Sequence, residues 1–315
     1  MRIYASESFS DVAKGWLDAM EPELKYSSRV RYINLLNSYL LPEFGEMPIS
    51  GITRDAFSTY RLKLLKTGGE HKEGLSPTTM AAIYSVFKSI IEYARYDKGY
   101  ETDDFRNITI RQAQQPLRVF SRIEQQRLVA YLLEHTTLTD LGILIALYMG
   151  LRVGEVCALK WGDIHTEDWT LHVHHTMQRI QDFGSIPRTK VIITDPKSLS
   201  SIRIIPIPSS LQQLLLRHRE ADNCFLLTGK DQKYVEPRTM ENQFRRILTL
   251  CGISNATFHT CRHTFATRCI ELGFDIKTLS EILGHASVAI TMNRYVHPSM
   301  DFKRQSMDKL SALLS

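Results

Sequence analysis

The chain has 315 residues, with 39 Lys and Arg against 34 Asp and Glu, giving a formal charge of +5. At 43% hydrophobic and 23% charged it has the composition of a soluble globular protein, which excludes disordered, collagenous and coiled-coil chains. The length suggests two domains. The first residues lack the apolar run of a signal peptide, and Leu141 to Leu151, the longest uncharged apolar stretch, is well short of the ~20 residues that span a bilayer.

The charge is unevenly distributed. Residues 1–105 carry 13 Lys and Arg against 15 Asp and Glu, leaving 26 against 19 for the remainder, so the positive excess lies in the second part. That balance is compatible with a polyanionic partner but does not select one. Five Cys, at 157, 224, 251, 261 and 269, form no CxxC pair and suit reduced thiols of a cytoplasmic protein.

Four helical segments are expected in the first hundred residues. Ser10 can cap the first, which carries Val12, Trp16 and Leu17. The second runs from about Ser27 to Leu40 on Val30, Ile33 and Leu36, and Pro42 and Gly45 end it. The third follows Thr53 and stops at Gly68. The fourth opens at Ser76 and Pro77, a cap followed by proline at the first helical position, and continues to about Tyr96. Residues 106–118 read as a linker, polar and without amphipathic period.

A capping box at Ser121 and Glu124 then opens a second domain. Helices are expected at 121–135, 139–149 and 152–160, a small sheet at 169–208, and further helices at 209–220, 237–251, 259–272, 275–283 and 287–295. Beyond these, Met300, Phe302, Met307, Leu310, Leu313 and Leu314 make an amphipathic tail over 300–315.

Four segments concentrate groups able to handle a phosphate. Arg152 and Glu155 stand three apart, which alone is an ordinary surface ion pair. His259 and Arg262 share a face near a helix N-terminus, a place that favours anions. His263 points elsewhere on that helix and reads as structural. Gly284 ends a helix with His285 in the turn beyond, and Tyr295 follows on a short helix that Ser287 can cap. Each signal is weak alone. Together GLRVGEV at 150–156, HTCRHTFAT at 259–267, SEILGH at 280–285 and NRY at 293–295 form an ordered set.

That set resembles the tyrosine recombinase (phage integrase) family over about residues 121–298. The resemblance implies a mainly α fold: an N-terminal four-helix, SAM-like core-binding domain at 1–105, and an α+β catalytic domain at 119–299 with a small antiparallel sheet. The family also uses a hairpin lysine between its two arginines. DPKSLSSIRIIP at 195–206 matches its KTxxSxRxxP pattern, so Lys197 is the choice and Lys190 the alternative. Met149, Cys261 and Ile290 depart from usual family residues without removing a functional group.

The resemblance and the chemistry assign the same roles. Arg152 and Arg262 would stabilise charge developing on a phosphodiester, and Tyr295 would be the nucleophile. His259 would accept the phenol proton, His285 would be the second hydrogen-bonding imidazole, Lys197 would protonate the departing 5′ oxygen, and Glu155 would orient Arg152 or His259. Arg29, Arg31, Lys63, Lys66, Lys72, Arg106, Arg111 and Arg118 are the expected DNA-backbone contacts. No cofactor and no metal is expected. His172 and His174 occupy alternate positions of a strand, but no third ligand lies nearby in sequence.

Double-stranded DNA with paired sites is the expected partner, with a homotetramer assembled on it, an accessory DNA-bending or directionality factor, and no membrane. No extra arm-type DNA-binding domain, as in some phage integrases, is expected before Ser10, since the residues ahead of it are too few. Type IB topoisomerase-like relaxation and non-catalytic DNA binding are the alternatives.

Overall fold

The computed structural model describes residues 7–69, 73–110, 117–182, 188–194 and 199–295, together with 304, 307 and 308. The chain divides into two compact units, Met1–Gln115 and Pro116–Ser315. Lys72, Arg111, Lys197 and most of the C-terminal tail lie outside the described residues.

The first unit is helical. α1 (Phe9–Met20) is capped by Ser8 rather than Ser10: the Ser8 hydroxyl accepts from the Asp11 N–H, placing Ser10 inside the first turn. α2 (Tyr26–Leu35) does not end at Pro42. A π turn over Leu36–Leu40 leads directly into α3 (Leu41–Phe44), with Pro42 in its first turn. The widened turn accommodates a residue that lacks a donor and crowds the preceding carbonyls. α4 (Arg54–Thr67) is capped by Thr53 and α5 (Pro77–Tyr96) by Ser76.

Aromatic rings fill the space between these helices. Phe57 and Phe87 stack at 4.2 Å, with Phe44 and Phe105 against Phe87 at 5.6 and 5.0 Å. Phe105 and Ile108 are buried in this core, and the Phe105 carbonyl accepts from the Tyr84 hydroxyl. The segment read as a linker therefore begins inside the first unit.

The second unit is built around α7 (Leu138–Met149), an almost wholly apolar helix buried on most of its surface. It packs against α6 (Arg122–His135), which has the expected Ser121–Glu124 capping box, and against α11 (Phe258–Glu271). α8 (Val153–Ala158) follows α7 after a three-residue turn. Strands β1 (Ile164–His165), β2 (Thr170–Val173) and β5 (Arg203–Pro206) form an antiparallel sheet, in which Leu171 pairs with Ile205. β3 (Thr176–Gln181) and β4 (Thr189–Thr194) form a separate hairpin. α9 (Ser209–Arg217), α10 (Pro237–Leu250), α12 (Ile276–Leu283) and α13 (Val288–Tyr295) complete the unit. Position 197 falls between β4 and β5, which belong to different sheets. His174 lies beyond the end of β2 and faces Asp163, whereas the His172 ring lies tilted against His165, so the two imidazoles have different partners.

Candidate active site

The two arginines of the sequence motifs are held in different ways. Gly150 ends α7 in the left-handed region, φ +70°, and reverses the chain so that Arg152 precedes α8. Arg152 is thus the N-cap of α8 and not a residue on its face. Glu155, at the third helical position, accepts from the Arg152 backbone N–H at 2.9 Å and from its Nη1 at 2.7 Å. The Arg152 side chain keeps 37% of its surface exposed, with donors left over for a ligand.

Arg262, on the first turns of α11, is 1% exposed. Its Nη1 donates to the Gly150 carbonyl at 2.8 Å and its Nη2 to the Leu283 carbonyl at 2.6 Å. One guanidinium therefore joins the turn before Arg152 to the turn before His285. Gly284, in that second turn, has φ +65°, and a Cβ there would crowd the Ser200 carbonyl and the Arg203 side chain at 3.0–3.2 Å.

Arg203, which the sequence offered only as one letter of a pattern, completes the frame. It is 8% exposed on β5 and grips both oxygens of Glu155, Nη1 at 3.1 Å and Nη2 at 2.9 Å. Its Nε donates to the Ile282 carbonyl at 2.6 Å and its Nη1 to the Ser201 carbonyl at 3.0 Å. Burial pushes the Glu155 carboxyl upward, but hydrogen bonds from Arg203 and the charges of Arg203 and Arg152 outweigh it and hold the pKa at about 2. Glu155 is an anion bound between two cations, which restricts it to orienting its partners.

Tyr295, at the end of α13, packs on Ala266, Cys269, Leu279 and Leu283 and is 7% exposed. Burial raises its pKa, while the nearby charges of Arg262, Arg294 and Arg152 pull it down. The cationic field of the arginine pair therefore reaches the phenol. His285 stacks parallel to the phenol ring at 6.3 Å and hydrogen-bonds Thr291 through Nδ1 at 2.8 Å. His263, read from the sequence as structural, is the imidazole whose Nδ1 meets the Tyr295 hydroxyl, at 2.9 Å. His259 sits edge-on to His263 at 4.4 Å. Its neighbour spacing, one helical turn from His259, was the signal that places both rings together.

All three imidazoles are neutral near pH 7. Burial first, and then the surrounding cations, lower His259 and His285 to about 4 and His263 to about 3. Arg262 is also lowered, chiefly by burial and by Arg152, but at about 9 it keeps its charge at neutral pH.

The expected backbone contacts fare unevenly. Arg29 pairs with Glu21, Lys63 with Glu43, Arg106 with Asp104 and Arg118 with Glu124. Arg118 also donates to the Ser254 carbonyl, so it works as a tie within the second unit. Arg31 and Lys66 are exposed. Lys190, the alternative to Lys197, pairs with Asp182 at 3.0 Å.

Comparison with known proteins agrees with this geometry. Residues 118–301 match the phage integrase family, and residues 8–65 match the phage integrase N-terminal SAM-like domain. The chain is 29% identical to a XerC-like tyrosine recombinase of Caldanaerobacter subterraneus, over 97% of this chain and 84% of that one. It is 26% identical to the ICEBs1 integrase of Bacillus subtilis, over 98% and 84%. In fold it is similar to the Tn1549 transposon integrase in complex with transposon right end DNA (TM-score 0.78, 19% identity, 97% of this chain and 100% of that one). It is also similar to a lambda integrase tetramer bound to a Holliday junction (TM-score 0.68, 16% identity, 92% and 78%). With more than half its length matched, the chain belongs to the phage integrase family of tyrosine recombinases, enzymes that break and rejoin DNA.

Proposed function

We propose that this chain is a site-specific recombinase that exchanges DNA strands through a 3′-phosphotyrosine at Tyr295. The observation that carries the reading is the placement of a buried tyrosine hydroxyl in the field of Arg262, held by two backbone carbonyls, and Arg152, held by the Glu155 carboxylate. A phosphodiester held by that pair would have its developing equatorial charge stabilised without a metal. The Tyr295 oxygen attacks phosphorus, a P–O bond to tyrosine forms, and the bond to the 5′ oxygen breaks. His259 takes the phenol proton and Lys197 gives one to the departing 5′ oxygen. Burial first and then the nearby cations lower His259, and the bound phosphate anion offsets the cationic part. The released 5′ hydroxyl then attacks the phosphotyrosine of the partner strand, so bond energy is conserved and no cofactor is consumed.

In this reading residues 1–105 and 119–299 are the core-binding and catalytic domains. Four copies act on two sites through a Holliday junction in the cytoplasm, with residues 300–315 docking on a neighbouring copy. Arg31, Lys66, Lys72, Arg111 and the paired cations Arg29, Lys63 and Arg106 follow the phosphates, since exposed ion pairs open at little cost, whereas Arg118 stays tied to Glu124 and the Ser254 carbonyl.

The test uses a nicked duplex selected by the wild-type chain from a random-sequence pool, with EDTA present. Wild type should trap a covalent adduct at a 3′ phosphate, and Tyr295→Phe should bind without forming it. An adduct from the Phe variant overturns the nucleophile assignment. Relaxation of plasmid lacking the site would instead indicate a topoisomerase, and binding with no adduct from the wild type a regulator.

A further inference from the structure

His263 has no role in the mechanism above, yet it is the group in contact with the reacting oxygen. Its Nδ1 lies 2.9 Å from the Tyr295 hydroxyl in a buried pair, with the ring centroids 5.7 Å apart. On its other side the ring meets His259 edge-on. The direction of the hydrogen bond follows from the neighbours. The charges of Arg262, Arg294 and Arg152 act on the phenol, and cations draw an oxygen's lone pairs toward themselves. The oxygen's lone pairs therefore face the cations, and its single proton has the neutral ring of His263 as acceptor, 2.9 Å away.

The geometry points to His263 as a further catalytic residue of the reaction proposed above: protonated on Nε2, it accepts the Tyr295 O–H through Nδ1. That contact fixes the rotation of the phenol so that the oxygen's lone pairs face the arginine pair. His263 does not store the proton. Burial, together with His259, Arg294, Arg262 and His285, makes its charged form costly, and as the P–O bond forms the hydroxyl proton leaves its hydrogen bond to Nδ1 for His259, whose ring stands edge-on to His263 at 4.4 Å. Orientation is thus separate from proton removal, with two imidazoles one helical turn apart on α11.

The inference rests on the recombinase reading, and the experiment separates the two. Adduct formation is followed under single-turnover conditions at saturating protein on the selected nicked duplex, with affinity measured by gel shift. His263→Phe keeps a ring but removes the acceptor, and is expected to slow adduct formation roughly 10- to 100-fold with affinity unchanged. His263→Asn places an amide oxygen near the Nδ1 position and is expected to recover the rate to within about threefold of wild type. If the Phe variant does not fold, His263→Ala with added imidazole replaces it, and the free ring should restore the rate saturably. A Phe variant that cleaves at the wild-type rate overturns the inference. So does a folded, DNA-binding Asn variant as slow as Phe, or an Ala variant indifferent to imidazole. Absence of any adduct from wild type would sink the recombinase reading itself.

Discussion

The two units solve the problem of stability with different materials. The first is held by stacked Phe, Tyr and Trp rings and aliphatic side chains, and its cations stay at the surface. The second places ten polar or charged side chains in its interior among the described residues, including Asp140, Glu155, Arg203, Arg262 and His263. Burying a charge costs several kcal/mol unless partners satisfy it. A fold that needed only stability would use apolar residues of the same volume, as the first unit does. Buried charge in the second unit therefore marks where the chain holds groups ready for an anionic ligand.

The contrast can be broken most sharply at the arginines. Arg262 is enclosed and ties two turns by backbone carbonyls, whereas Arg152 has an exposed side chain on a cap. Both Arg152→Ala and Arg262→Ala should reduce single-turnover cleavage by roughly 10³-fold or more. Only Arg262→Ala should also lower the melting temperature, because the Gly150 and Leu283 carbonyls lose their donors. Equal melting temperatures for the two variants would show that the Arg262 frame is not structural.

A matched pair of core substitutions gives the next largest effect. Arg203→Met leaves Glu155 short of its main partner and should cost about 3–5 kcal/mol of stability. Phe87→Ala in the first unit should cost a similar amount, about 3–5 kcal/mol, by opening a cavity. Denaturant unfolding measures both. The cleavage rate of DNA-bound protein separates them: it should fall for Arg203→Met, which frees Glu155 to misdirect Arg152, and stay unchanged for Phe87→Ala.

How much of this was legible in the sequence depended on how local the signal was. The caps at Thr53, Ser76 and Ser121 and the stop at Gly68 are set by residues three or four apart, and they lie where the sequence places them. Pro42 misled because proline usually ends a helix, and the π turn that absorbs it leaves no mark in composition. Ser8 and Ser10 are both good caps, and the hydrogen bond to Asp11 decided between them. In the site, the motif letters single out Arg152, Glu155, His259, Arg262, His285 and Tyr295 as candidates. The grip of Arg203 on Glu155 spans 48 positions and that of His263 on Tyr295 spans 32, so neither follows from periodicity. Helical spacing rotates His263 away from Arg262, but α13 returns the chain to its face.

The smallest expected effect falls on the first unit's surface. Lys63 pairs with Glu43 at 3.2 Å, with 64% of its side chain exposed. Lys63→Ala should change stability by no more than about 0.5 kcal/mol, since exposed pairs contribute little. If the lysine follows a phosphate, its loss should weaken binding by a similar factor on every DNA sequence and reduce the slope of log affinity against log salt by about 1. The cleavage rate at saturating protein should not move. A fall in that rate with affinity intact would mean that the first unit reaches the chemistry, and the division between a stabilising and a reacting unit would then be drawn in the wrong place. A salt slope that stays at the wild-type value would remove Lys63 from the DNA-contacting face and leave the exposed Arg31 and Lys66 as its remaining described members without a carboxylate partner.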